Sequence, residues 1–152
     1  MVIRDLLAYR LHRVANRISA SAALRYRREF GVSLAEWRTV ALLGAEAPLS
    51  LNDVAKAAGV DKSQMSRVVA ALVARGIAAR KVDRRDRRGV RLTLTAAGRR
   101  LYKALIAAAG GRNTRLLGCL TTAERKTLDA VLTKLDTEAR RLAQQEKLAT
   151  RA

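Results

Sequence analysis

Apolar residues recur at helical spacing through most of the chain. Leu7, Leu11, Val14 and Ile18 follow one another at steps of three and four. This predicts a first helix from about Asp5 to Arg28, ended by Phe30-Gly31. Trp37, Val40, Ala41 and Leu43 predict a second, from Leu34 to about Gly44. Pro48 then breaks the chain before a third, Leu51 to Ala58. Gly59 makes the turn into a fourth, Lys62 to Arg75, closed by Gly76. Between Ile77 and Leu94 the period changes to two. Val90, Leu92 and Leu94 alternate with Gly89, Arg91 and Thr93, which reads as a strand whose hairpin partner lies at about Ala79 to Asp83. A fifth helix starts after Thr95 and a sixth after Thr121. In the sixth, Leu128, Val131, Leu135 and Leu142 form a stripe widened by Leu132 and Ala139. Residues Lys147 to Ala152 are expected to fray.

Cap residues support these boundaries. Ser33-Leu-Ala-Glu36 and Thr121-Thr-Ala-Glu124 have the spacing of a capping box. Ser50-Leu-Asn-Asp53 and Asp61-Lys-Ser-Gln64 are looser versions, and Thr95 is placed to cap the fifth helix. Each puts an oxygen where the first free N–H groups of a helix need an acceptor. The pair Gly110-Gly111 is expected to weaken or kink the fifth helix, or to end it and let it resume.

Composition narrows the function. The chain has 152 residues, enough for one compact domain or one subunit of an intertwined oligomer. Hydrophobic residues make up 49% and aromatic ones 3%, so the core must be built from Ala, Leu and Val. Lys and Arg number 31 against 13 Asp and Glu, a formal charge of +18. A globular chain this basic meets a polyanion or is merely a soluble basic protein. A single cysteine, Cys119, forms no intrachain disulfide, and with His12, the only histidine, it cannot make a His/Cys zinc site. No cofactor or metal is expected. Charges interrupt every apolar run of the N-terminal segment, which is neither a signal peptide nor a membrane span, so a cytoplasmic protein is expected.

The order helix, helix, turn, helix, basic hairpin is that of a winged helix-turn-helix: mainly α, with a small β-hairpin wing and flanking N- and C-terminal helices. The turn Ala58-Gly59-Val60 is short enough to set two helices at a steep angle, the second being the recognition helix. Met65, Val68, Val69, Leu72 and Val73 share one arc of it. Lys62, Ser63, Ser66, Arg67, Ala70 and Ala74 share another, small and polar. Arg67 suits guanine and Gln64 suits adenine, while Ser63 and Ser66 suit bases or phosphates. The same residues also fit an ordinary solvated helix face. The wing is the stronger signal. From Arg75 to Arg91 there are eight basic residues and two acidic ones. Arg87 and Arg88, nearest the tip, suit a narrow minor groove, and Arg84 and Arg85 suit phosphates. Asp61, Asp83 and Asp86 read as structural partners of caps and arginines.

The segments VDKSQMSRVVAALVARG (60–76) and DRRDRRGVRLTLTAAG (83–98) resemble the signature of MarR-type transcriptional regulators. The resemblance covers about Leu34 to Gly98. It implies a single MarR-like domain over 1–152, with residues 31–98 as the DNA-binding part and 1–30 and 99–148 as dimerisation helices. It further implies a homodimer in which the first, fifth and sixth helices interlock across a twofold axis. The target is then a near-palindromic double-stranded DNA operator with half-sites about 34–36 Å apart. The family layout implies a repressor released by a small aromatic or phenolic acid, held in a cleft lined from the first, second and fifth helices. Candidate contributors are Tyr9, His12, Arg13, Asn16, Arg17, Trp37, Arg38 and Tyr102. Trp37 offers a face for stacking and an arginine can hold a carboxylate bidentately. Trp37 also fits a core position, His12 the surface, and both tyrosines a dimer interface. Some relatives sense oxidants through a cysteine near the N-terminus, where this chain has none. Cys119 reads as a small buried hydrophobe.

Two other classes compete with a sequence reader. A nonspecific architectural protein explains the charge but not the small polar face beside an arginine wing. An enzyme lacks support: there is no Gly-x-x-x-x-Gly-Lys loop, and no nucleophile has a convincing base. The chain is therefore read as non-enzymatic.

Overall fold

The computed structural model describes residues 2–82 and 90–150. Among them the elements run α1 (Leu7–Phe30), α2 (Leu34–Glu46), β1 (Leu49–Ser50), α3 (Leu51–Ala58), α4 (Lys62–Ala74), β2 (Ala78–Val82), β3 (Val90–Leu94), α5 (Ala96–Leu117) and α6 (Thr122–Ala149). The mainly helical fold with a small wing is as the pattern predicts. The chain forms two compact units, Met1–Ala108 and Ala109–Ala152, with the boundary inside α5.

The first unit holds the core. Val32, Val40, Val54, Met65, Val69, Leu72 and Leu105 are completely buried, and Leu92 of β3 is nearly so. Helix α2 lies at its centre through Thr39, Val40 and Leu43. Tyr26 of α1 packs on Trp37 with ring centroids 5.1 Å apart. The Thr39 hydroxyl donates to the Ala35 carbonyl at 2.9 Å and lies 3.4 Å from Met65 Sδ of α4. Gly44 receives the ring of Tyr102 from α5, leaving no room for a Cβ.

The strands pair antiparallel in the order β1-β3-β2. Ala78 faces Leu94, Arg80 faces Leu92 and Val82 faces Val90 in the wing. β1 escaped the sequence reading because two residues carry no alternation. It pairs Leu49 with Leu92 and Ser50 with Arg91, closing the gap between α2 and α3.

Cap chemistry sets the helix limits. Capping boxes are formed at Ser33–Glu36, Ser50–Asp53 and Thr121–Glu124. α1 begins at Leu7 rather than Asp5, because the Asp5 carboxylate accepts the Val2 N–H at 3.0 Å and closes a separate 3-10 turn over Ile3–Asp5. α1 and α3 end where Gly31 and Gly59 adopt φ of 63° and 68°, a left-handed conformation that costs other residues a Cβ clash. Thr95 joins three elements. Its hydroxyl donates to the Gly76 carbonyl at 2.6 Å and accepts the Gly98 N–H at 3.0 Å. A Cβ on Gly98 would land on the Ile77 carbonyl oxygen.

The second unit has no buried residue among those described. Two expectations are corrected around it. α5 runs unbroken through Gly110-Gly111, since helix propensity is a small term beside a continuous hydrogen-bond ladder. α6 continues to Ala149. Cys119 is exposed, not buried; its thiol donates to the Leu116 carbonyl at 3.2 Å.

Replacing Gly98 with Ala should cost about 1–3 kcal/mol, because the new methyl is forced into backbone that cannot yield. Gly110→Ala should instead stabilise by about 0.5–1 kcal/mol, the ordinary gain inside a helix; its Cβ meets nothing within 4 Å. Urea unfolding of the two variants checks both signs.

Candidate functional site

The fourth helix presents its two faces as the sequence requires. Met65, Val69 and Leu72 are buried, and Val68 and Val73 half-buried. Lys62, Ser63, Gln64 and Arg67 are exposed together on the first two turns, with Ser66 half-buried beside them. Asp61 holds this end. Its carboxylate accepts the Gln64 N–H at 2.8 Å and the Ser63 hydroxyl at 2.7 Å. Ser63 is thus a partner of the cap as well as a surface group. The Ser63 hydroxyl, with the Gln64 amide and the nearby positive charge of Arg67, holds the Asp61 carboxyl below the ordinary aspartate range.

Ser66 turns toward the wing. With Leu51, Val69, Arg80, Val90 and Leu92 it lines a small cleft of about 250 Å³ between α4 and the hairpin. Arg91 on the opposite face of β3 lies 3.7 Å from Asp53 of α3, which ties the wing to the helix-turn-helix. The four wing residues Arg84, Arg85, Arg87 and Arg88, and with them Asp83 and Asp86, lie outside the described residues.

The eight residues proposed for a ligand cleft do not come together as a set. Trp37 and Arg38 do, in a cleft of about 520 Å³ shared with Ala41, Leu42, Ala57, Ala58 and Gly59. Its walls are α2 and the end of α3, without residues of the first or fifth helix. Ala57, Ala58 and Gly59 were missed because small residues before a turn read as turn-makers; that they leave space is visible only in three dimensions. Arg38 also donates to Ser19 Oγ at 3.4 Å, which draws it toward α1. Tyr102 packs on Gly44 instead. On α1, Arg13 lies over the Tyr9 ring at 5.8 Å and Asn16 hydrogen-bonds His12 at 2.7 Å, while Arg17 is exposed. None of these four is among the residues lining the Trp37 cleft.

Among the described residues no helix is long and apolar enough to cross a membrane, and no group of His, Cys, Asp and Glu is placed to hold a metal.

A helix-turn-helix whose second helix shows a polar first turn, followed by a paired hairpin and a capped return helix, defines a winged helix-turn-helix. A family model described as MarR family matches residues 30–89. A MarR-family transcriptional regulator from Silicibacter pomeroyi is 32% identical, with 89% of this chain and 98% of that chain covered and a TM-score of 0.75. A MarR/EmrR-family regulator from Acinetobacter sp. ADP1 is 25% identical over 93% and 99% of the two chains, at a TM-score of 0.84. BpsR of Bordetella bronchiseptica, whose DNA binding is regulated by 6-hydroxynicotinic acid, is 27% identical over 90% and 96%, at 0.77. A comparison with curated proteins found no match. The chain belongs to the MarR family and is a transcriptional regulator of that family.

The Asp61 cap makes stability depend on acid. The native carboxyl binds its proton less readily than the unfolded chain does, so stability rises with pH through the carboxylate range. Its contribution is complete at neutral pH and is lost as pH falls through the lowered native value. Asp61→Asn keeps a good N-cap and removes the titration. Urea midpoints from neutral pH down to about pH 3 should therefore fall less steeply for the variant than for the parent.

Proposed function

We propose that this regulator is a homodimeric repressor that binds a near-palindromic duplex operator and leaves it when a small aromatic or phenolic acid binds. The observation that carries the DNA reading is the first two turns of α4. Lys62, Ser63, Gln64 and Arg67 stand in solvent on a helix whose opposite face is locked into the core. Such a face can enter a major groove without disturbing the fold, with Arg67 on guanine and Gln64 on adenine. Ser66 lies between this face and the wing. Arg87 and Arg88 belong to the reading as minor-groove contacts, and Arg84 and Arg85 as phosphate contacts, on the strength of the sequence. Residues 31–98 are thus the reading part.

Residues 1–30 and 99–148 serve dimerisation in this proposal. α6 is 28 residues long and has no buried residue, yet Val131, Leu132 and Leu142 are 44%, 46% and 49% exposed. Leu7, Leu11 and Val14 of α1 are exposed as well. A second copy covering these stripes would supply the burial that each helix lacks.

The effector reading rests on the Trp37 cleft. Its volume suits a small organic molecule, with an indole for stacking and a guanidinium for a carboxylate. BpsR, a neighbour at 27% identity, responds to an aromatic acid, which favours the same ligand class here. The effector must bind more tightly to the conformation that does not bind DNA.

Selection from a random duplex library at physiological salt tests the reading. A palindrome with half-sites about one helical turn apart should be enriched. Arg67→Ala should relax one base position in each half-site at a cost of about 1–3 kcal/mol. An unenriched pool bound with a steep salt dependence would mark a nonspecific architectural protein instead. Adding aromatic acids to the operator complex should release the protein, and Arg38→Gln should blunt that release. For assembly, sedimentation should give a dimer, and Leu132→Glu should shift it to monomer.

A further inference from the structure

Arg75 caps the C-terminal end of α4 and does not face the groove-reading turn. Its N–H bonds the Ala71 carbonyl at 3.1 Å, and its side chain leaves the helix for a different part of the chain. Nη1 donates to Glu36 Oε1 of α2 at 2.9 Å. Nη2 lies 4.0 Å from where a Cβ on Gly31 would stand, in the turn between α1 and α2.

Glu36 is committed at both oxygens. Oε2 accepts the Ser33 N–H at 2.7 Å, which completes the capping box of α2, and Oε1 takes Arg75. Its side chain is 14% exposed, against 40% for Arg75. By contrast, the Arg25–Glu29 and Arg140–Asp136 pairs each lie within one helix. The Arg75–Glu36 pair joins residues 39 apart in sequence and connects the end of α4 to the start of α2.

We infer that Glu36 and Arg75 are positioning residues for DNA recognition, a pair that sets the tilt of the recognition helix against the α1–α2 turn. The inference rests on the reading of α4 as the DNA-reading helix. α4 has 13 residues, so it is about 20 Å long. Releasing its far end by about 3–4 Å would swing it by about 10° around the Asp61 end, which reaches the tolerance of a hydrogen-bonded site. Because the same carboxylate holds the α1–α2 turn, a shift of α1 reaches α4 through this pair.

Simple charge and positioning predict opposite signs for one variant. Glu36→Gln makes an already basic protein one unit more positive, which by itself strengthens binding to DNA. It also keeps the capping box, since the amide oxygen still accepts the Ser33 N–H. Positioning requires that it weaken operator binding.

The experiment compares the wild-type protein with Glu36→Gln, Arg75→Gln and the double variant on the selected operator and on a scrambled duplex, each across a salt series. Both single variants should bind the operator about five-fold less tightly, the effect of a good partly buried pair. The double variant should be no worse than Arg75→Gln, and Glu36→Gln should hold the scrambled duplex at least as tightly as wild type. In the free protein, amide exchange at Ala74, Arg75 and Gly76 should quicken in both singles. Operator binding by Glu36→Gln equal to or tighter than wild type would overturn the inference. So would a loss confined to Arg75→Gln with a shallower salt slope, which marks a phosphate contact. Unchanged amide exchange in variants that stay folded would also overturn it. If wild type itself selects no operator, the DNA-recognition reading fails, and this inference with it.

Discussion

Helix α2 buries Thr39, Val40 and Leu43, and three other helices reach it through contacts with little room for change. Tyr26 of α1 lies against Trp37, Met65 of α4 against Thr39, and Tyr102 of α5 against Gly44. Close packing makes these contacts stiff, because losing even one methylene leaves a gap that neighbours fill only in part. The placement of α4, and so of any face that α4 presents, is inherited from α2. Glu36 adds a polar tie to the same helix at its first turn.

Most of the carboxylates among the described residues serve local structure. Glu36, Asp53 and Glu124 complete capping boxes and Asp61 caps α4, while Glu29, Asp136 and Glu138 pair with arginines along their own helices. Each use satisfies an orphan N–H or adds a modest helical pair. The carboxylates are too few to balance Lys and Arg, and the formal charge of the chain stays at +18. Self-repulsion of that size disfavours a compact state unless counter-ions or a polyanion gather on it. The first unit can bear it because it has a buried core, whereas α6 has no buried residue and keeps Leu128, Leu132 and Leu142 exposed.

Much of the winged unit was legible from local rules. A serine or threonine three residues before a glutamate marks a helix start because the free N–H groups there need acceptors, and all the expected caps formed. Gly59 and Gly76 mark turns because their φ angles of 68° and 66° exclude most side chains. The buried arc of α4 followed from its period of 3.6. Short or nonlocal features were not legible. β1 is two residues long and exists only because β3 lies beside it. The exposure of Cys119 depends on what packs beside the α5–α6 turn, and no window of sequence reports that. The glycine pair does not end α5, since a local propensity of about 1 kcal/mol per residue does not decide a helix of that length.

The candidate site divides the same way. By itself the sequence determined which residues α4 turns outward, because a period of 3.6 that buries Met65, Val69 and Leu72 leaves Ser63, Arg67 and Ala70 on the opposite side, with Lys62 and Gln64 exposed at the helix start. It also determined the excess of arginine in the wing and, through the 60–76 and 83–98 segments, the family. Only the tertiary structure decided that Trp37 and Arg38 share a cleft with Ala57, Ala58 and Gly59, and that Arg75 reaches Glu36. Those contacts join residues far apart along the chain. Their distances are set by the angles at which whole helices pack, and such angles depend on the summed fit of many side chains rather than on any local pattern.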